Sequence, residues 1–254
     1  IRIITGTGFT GGANVLTPGT TTVAIGDGTN LGDGTTEGNE SGTPETCQRR
    51  TWTMYRSVGY NSTAARETGG GTNTLTISGT TATFGTTPGT DIGVGDIIQY
   101  NTSANLAVIH GRTDATHYTV YTTLGAVPAT ATNDTGWSIF RAYTSLYNAE
   151  RGVENTGIAS GLRNFDNWTA GGDATTDDVG KDIATPGQTW NIACYADATD
   201  TQVPAIDGWT TAPNFYIRVY TPTASSEVGL TQRHSGAFTA AAYTLQHNSQ
   251  FRIS

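Results

Sequence analysis

Acidic side chains carry most of the chemistry on offer in this sequence. Asp27, Asp33 and Glu37 stand among the glycines of Gly26-Asp27-Gly28-Thr29-Asn30-Leu31-Gly32-Asp33-Gly34 and just beyond. Oxygen-rich loops of this kind can bind Ca²⁺. The spacing departs from the twelve-residue calcium loop, with Thr29 and Leu31 where ligands would stand, so a solvated turn competes with the metal reading. Asp173, Asp177, Asp178 and Asp182 form a second acidic loop, open to the same two readings. The histidines are His110, His117, His234 and His247. His110 and His117 would face opposite sides of a single strand, whereas a zinc centre needs ligands that converge. They read as surface or turn residues.

Gly6, Gly8 and Gly11 follow the run Ile1-Arg2-Ile3-Ile4-Thr5 and spell the dinucleotide fingerprint G-x-G-x-x-G. That chemistry also needs a helix whose N-terminus faces the pyrophosphate. Pro18 and Thr20-Thr21-Thr22 oppose such a helix, so these glycines read as turns. There is no H-E-x-x-H, no G-x-S-x-G and no phosphate-loop lysine. The expectation is a chain without catalytic residues and without a cofactor, Ca²⁺ being the one ion its residues suggest. Cys47 and Cys194 are compatible with one disulfide or with two buried thiols. Sequons at Asn39, Asn61, Asn101, Asn133 and Asn167 would mark exposed turns in a source that glycosylates.

The elements that must position these residues are short strands. Fifty threonines and 33 glycines, with 35% hydrophobic residues, specify many pleated, half-exposed segments joined by tight turns. Five Trp, 11 Tyr and 7 Phe argue against disorder. The net charge is −8, with a single lysine, Lys181, and no basic stripe, which excludes nucleic acid as a partner. No apolar run approaches the roughly 18 residues of a membrane-spanning helix. The chain opens on Ile1 without a charged-then-apolar leader, as expected of a processed, extracellular protein.

Three stretches differ in texture. Residues 1–68 form an N-terminal Gly/Thr-rich β segment, closed by a strand pair or irregular stretch around Trp52, Met54, Tyr55, Val58 and Tyr60. Residues 69–143 hold six candidate strands, including a hairpin Thr74–Ser78/Thr81–Phe84, and read as a small barrel or sandwich. Residues 144–254 open on a short helix at Leu146–Arg151, with another helical turn over Leu162–Trp168. Alternating strands at Trp190–Tyr195 and Phe215–Tyr220 follow. The fold class is all-β with very little helix.

Residues 143–254 resemble the opening rungs of right-handed parallel β-helix proteins, the pectate-lyase-like class. The resemblance rests on Tyr143-Thr144-Ser145-Leu146-Tyr147-Asn148-Ala149-Glu150, Trp190-Asn191-Ile192-Ala193-Cys194-Tyr195-Ala196-Asp197, Ile206-Asp207-Gly208-Trp209-Thr210-Thr211 and Asn214-Phe215-Tyr216-Ile217-Arg218-Val219-Tyr220-Thr221-Pro222. It implies a capping helix followed by stacked strands, as in large surface or phage-fibre-like proteins. For polysaccharide-cleaving members it implies acidic residues with Ca²⁺ or a basic partner, which here would be Asp197, Asp200 and Asp207 with Arg218 or Arg233. The alternative for these aspartates is turn formation.

The function expected is that of a non-enzymatic structural subunit, self-assembling into an extracellular filament, surface coat or virion fibre. Ile1, Ile3, Ile4, Phe251 and Ile253 lie in short apolar terminal strands suited to pairing with a neighbouring copy. A carbohydrate-binding or adhesive module is the alternative, with Trp209, Tyr216 and Tyr220 as a glycan-stacking platform, although aromatics alternating on a strand more often fill a core or an interface. A polysaccharide lyase or hydrolase fragment is the third reading.

Overall fold

A computed structural model describes residues 52–166, 181–234, 236 and 242–246, and the backbone of 252–253. These residues form fifteen strands, one short α-helix and one 3₁₀ turn, so the chain is all-β with little helix. The first strand is β1 (Trp52–Val58). The next eight are β2 (Glu67–Thr68), β3 (Leu75–Ser78), β4 (Thr81–Phe84), β5 (Ile97–Tyr100), β6 (Asn105–Arg112), β7 (His117–Tyr121), β8 (Ala131–Asp134) and β9 (Ser138–Phe140). After α1 (Leu146–Glu150) come β10 (Gln188–Cys194), β11 (Thr199–Asp200), β12 (Ala205–Ile206), β13 (Ile217–Tyr220), β14 (Thr244–Leu245) and β15 (Arg252–Ile253).

Strands β2 to β9 make one antiparallel sheet in the order β2-β9-β5-β6-β7-β4-β3-β8. Period-two alternation sends Leu75, Ile77, Ala82, Phe84, Ile98, Tyr100, Ala107, Ile109, Tyr118, Val120 and Ile139 into one shared core. Phe84 on β4 meets Trp137, next to β9, at 4.9 Å although three strands separate β4 from β9 in the order. The sheet therefore curls around its own core, as the expected small β module would. It holds two strands more than the sequence pattern suggests, β2 and β8. Both are short and mostly exposed and lack an apolar alternation.

The other face of this sheet is also used. Ile97, cross-strand from both Val108 and Phe140, builds an apolar patch on its outer side. These three residues join a second core with Met54, Val58, Trp190, Ile192 and Cys194. That core belongs to a parallel sheet, β1-β10-β13. Trp52–Val58 is thus one seven-residue strand paired in parallel with Gln188–Cys194, in place of a strand pair within the N-terminal segment.

Four parallel contacts recur in chain order. Asp182 pairs with Thr210, β10 with β13, β11 with β14 and β12 with β15. These four segments between 182 and 206 are therefore overlaid, in order, by the segments at 210, β13, β14 and β15. The antiparallel sheet is inserted at the other side of this stack. The chain leaves at Val58 and returns at Tyr143, which bridges Val58 in parallel, and Tyr143 N–H donates to Ser57 O at 3.0 Å.

Helix α1 starts where Ser145, in extended conformation, accepts a hydrogen bond from Asn148 N–H. It ends at Gly152, whose φ of +63° reverses the chain. The expected second helical turn over Leu162–Trp168 is a 3₁₀ turn, Ser160–Leu162, as far as the described residues reach.

Gly95 joins the two sheets. Its carbonyl accepts from Ser57 N–H at 2.9 Å and its N–H donates to Ile109 O at 2.7 Å. Its φ is +88°, and a Cβ there would stand 2.4 Å from the backbone of Arg56 and Ser57. Gly95→Ala is expected to cost at least ~2 kcal/mol, from the left-handed backbone and the main-chain clash together. Chemical denaturation of the variant measures this.

Candidate functional site

The candidate carboxylates from the last third of the sequence do not converge on an open site. Asp197 is drawn into an ion cluster where the antiparallel sheet meets the parallel stack. Arg141, just after β9, points its guanidinium inward and is 2% exposed. Its Nη1 donates to both Asp96 oxygens at 2.8 Å. Its Nε and Nη2 donate to Asp197 Oδ2 and Oδ1, each at 2.9 Å. The Tyr195 ring centroid lies 3.7 Å from the guanidinium carbon. Asp91 approaches Nη2 at 3.3 Å and also pairs with the half-exposed Arg66. A Cβ at position 59 would stand 2.3 Å from Asp197 Oδ2, so glycine there makes room for the carboxylate.

The electrostatics follow from burial. Desolvation disfavours the Arg141 cation, but Asp96 and Asp197 outweigh it and hold the guanidinium above its ordinary value. Desolvation pushes the Asp96 carboxyl up, opposed by Arg141 and by Gly93 N–H, which donates at 2.9 Å. The fork geometry and the matched partners make this a structural clamp.

A second clamp lies on β1. Arg56, 1% exposed, donates through Nε and Nη2 to Asp166 at 2.5 and 2.6 Å, and Tyr143 OH donates to the same carboxylate at 2.5 Å. Asp200 is fully buried and accepts from Leu146 N–H at 2.9 Å, Gln202 N–H at 3.0 Å and Tyr243 OH at 2.9 Å. Lys181 pairs with Glu150 of α1 and donates to the Asp207 carbonyl at 2.8 Å. Arg218 lies over the Tyr220 ring at 4.0 Å, and Arg233 is exposed. Asp197 and Asp200 are thus consumed in internal pairing rather than presented to a sugar chain.

Among the described residues, no group of three or more His, Cys, Asp or Glu is placed to hold a metal. Asp27, Asp33, Glu37, Asp173, Asp177 and Asp178 lie outside the described residues, as do Gly6, Gly8 and Gly11. Asp182 accepts from Thr185 N–H at 2.9 Å, as a turn aspartate does. Cys194 is a free, buried thiol that burial pushes well above its ordinary range, and Cys47 lies outside the described residues. His110 and His117 sit on the neighbouring strands β6 and β7, not on one strand. His117 meets Asp114 at 2.9 Å, and His110 is enclosed by Trp52, Tyr55 and Tyr121. His234 is exposed, and His247 lies outside the described residues. Asn61, Asn101 and Asn133 all have φ between +47° and +52°, so three sequons occupy tight turns, while Asn39 and Asn167 lie outside the described residues.

The chain matches no family model, no curated protein and no solved structure. No helix among the described residues is long and apolar enough to cross a membrane.

The aromatic candidates separate. Trp209 packs on Trp190 with ring centroids 5.0 Å apart and lies against the second core. Tyr220 packs beside Val94, Ala193, Tyr195 and Val228. Tyr216 is 47% exposed, at the approach to β13.

A further exposed surface is the end of the parallel stack, at β13. Residues in register on parallel strands point the same way. The column Arg56, Ile192, Val219 runs through β1, β10 and β13. Its exposures are 1%, 1% and 39%. A column that is sealed at Arg56 and Ile192 thus opens to solvent at Val219. The sequence offered no signal for this, because Phe215–Tyr220 alternates like any half-buried strand.

Proposed function

We propose that this chain is a non-enzymatic structural subunit that self-associates into an extracellular filament, surface coat or virion fibre. The observation that carries the reading is the strand β13, the edge of the parallel stack among the described residues, with Arg218 and the apolar Val219 open to solvent. Such an end favours burial against another protein layer, and an open sheet edge is a template for strand pairing. Further support comes from the internal pairing of Asp197 and Asp200, which leaves them fixed as structural groups. On this reading the overlaid segments and the segments that cover them are rungs of the parallel β-helix class that the sequence resembles. Each rung of such a stack gains its stability from its neighbours.

Open growth needs a second contact. The segment Ile1–Thr5 is the proposed donor strand, and it lies outside the described residues. The C-terminal strand at Ile253 pairs with Ile206 of its own chain, so it is anchored on one edge. Phe251 lies outside the described residues. Electron microscopy of the purified protein at neutral pH, with and without Ca²⁺, should show regular assemblies. Deleting Ile1–Thr5 should abolish them and leave the far-ultraviolet circular dichroism unchanged. Discrete single particles under both ionic conditions would overturn the reading. Unchanged polymers from the deletion would remove only the strand-addition step.

A further inference from the structure

The two ends of the parallel stack differ. At the first end, the C-terminal half of β1 is covered by its own chain. Ser57 N–H donates to Gly95 O, Tyr143 N–H donates to Ser57 O, and Ala142 N–H donates to Ser57 Oγ at 2.9 Å. At the other end, β13 is the edge strand of the sheet among the described residues, with Arg218 and Val219 exposed. A head-to-tail union would have to place β13 of one copy on the covered edge of β1 in the next.

We infer that two copies of this chain join through their β13 edges about a two-fold axis, giving one continuous six-stranded sheet. This deepens the self-association reading and rests on it. With the β1 edge covered over its C-terminal half, a like β13 edge is the match for the open end, and a two-fold contact uses the same patch on both subunits. The two-fold makes the β13 strands antiparallel.

The register follows from charge and apolar matching. An axis at Val219 sets Val219 against its own symmetry mate and Arg218 against the partner's Tyr220. Arg218 already lies over Tyr220 within the chain at 4.0 Å, so the pairing keeps the cation on an aromatic face. A register with Arg218 opposite its own mate would oppose like charges directly, which destabilises a strand pair. Centring on Val219 also carries the Arg56–Ile192–Val219 column on into the second copy, burying its exposed apolar end. The contact strand is only four residues long, so the union is concentration-dependent, roughly micromolar rather than permanent. The dimer is a closed unit, and growth beyond it belongs to the separate N-terminal contact.

The test is sedimentation equilibrium on the full chain over a concentration series, with two variants. Wild type should pass from monomer to dimer, or from odd-numbered to even-numbered assemblies. Val219→Asp sets two carboxylates against each other at the axis and should weaken association on the order of 100-fold. At concentrations where both are monomeric its thermal unfolding should change little, since the side chain is 39% exposed in the monomer. Val219→Cys, in a Cys47→Ser background, should cross-link to a reducible dimer under mild oxidation much faster than Arg218→Cys, which faces a tyrosine. If wild-type assemblies persist unchanged in Val219→Asp, and Val219→Cys cross-links no faster than Arg218→Cys, the β13 union is overturned while self-assembly stands. A wild type that stays monomeric up to about 100 µM, well above the expected range, overturns both.

Discussion

Replacing Arg141 by Met is expected to destabilise the protein by at least ~3–5 kcal/mol, a large part of the roughly 5–15 kcal/mol that holds a domain folded. The reason is what the substitution leaves behind. Asp96 is fully buried and Asp197 is 7% exposed, and each loses a two-bond partner at 2.8–2.9 Å. Two carboxylates would face each other in a site with little water. Methionine also loses the guanidinium's contact with the Tyr195 ring. The penalty should fall when the orphaned charge is removed as well, so Arg141→Met/Asp96→Asn should be more stable than the sum of the two single changes. Arg66 makes a useful contrast. It shares Asp91 and Asp197 with Arg141 but is 29% exposed, so Arg66→Met should cost under about 1 kcal/mol. Urea midpoints of the four variants measure all of this. An Arg141→Met protein as stable as wild type would show that water reaches the cluster and that it does not clamp the sheets.

The antiparallel sheet was largely legible because its signal is local. Leu75, Ile77, Ala82 and Phe84 alternate on either side of a glycine turn, and alternation with a short loop specifies both strand and partner. The parallel stack was not legible in the same way. Trp52–Val58 finds its partner at Gln188–Cys194, far along the chain, and period two says nothing about which distant strand it will meet. Short strands such as β11, β12 and β14, two residues each, carry no periodicity at all. The helix at Leu146 was readable from its serine cap and its terminal glycine, both local devices.

The clamps were hidden for a related reason. Asp91, Asp96, Arg141 and Asp197 come from three separate parts of the chain, and each looks like a turn or surface residue where it stands. Arg141 follows the strand Ser138–Phe140, where the pattern alone would place a charged residue in solvent. Scarcity was the available hint. In a chain with only 13% charged residues, an arginine bracketed by Phe140 and Ala142 has a poor claim to the surface. Gly59 and Gly95 were equally silent, since one fold in three dimensions decides that a Cβ there would collide with Asp197 or with the β1 backbone.

Acid should unfold this protein earlier than its carboxylates require, and His110 is the reason. The imidazole sits among Trp52 at 4.8 Å, Tyr121 at 4.9 Å and Tyr55 at 5.1 Å, and its Nε2 is buried without a partner among the described residues. Burial, and then the nearby Arg56 charge, hold its pKa down to about 3, against an ordinary 6.5. Between these values the unfolded chain binds a proton that the folded chain refuses. Stability is therefore complete above pH 6.5 and falls as the pH drops toward 3, by up to ~1.4 kcal/mol per unit. At pH 5 the loss reaches about 2 kcal/mol. The surrounding rings recover part of this by accepting the cation on their faces. Carboxylates held below their ordinary values, such as Asp91 beside Arg66 and Arg141, begin to cost stability only in more acidic solution, whereas Asp96 and Glu154, which burial pushes up, bind protons more readily folded than unfolded and oppose the loss, so the histidine's share is the difference between wild type and a variant without it. His110→Phe keeps a ring in the box and removes the titration. Wild-type urea midpoints taken from pH 8 to 5 should fall relative to those of the variant, by the histidine's share, as the pH drops. Parallel wild-type and variant profiles would mean that the aromatic box admits water, and with it the loss of the seal between β1 and the β6–β7 pair.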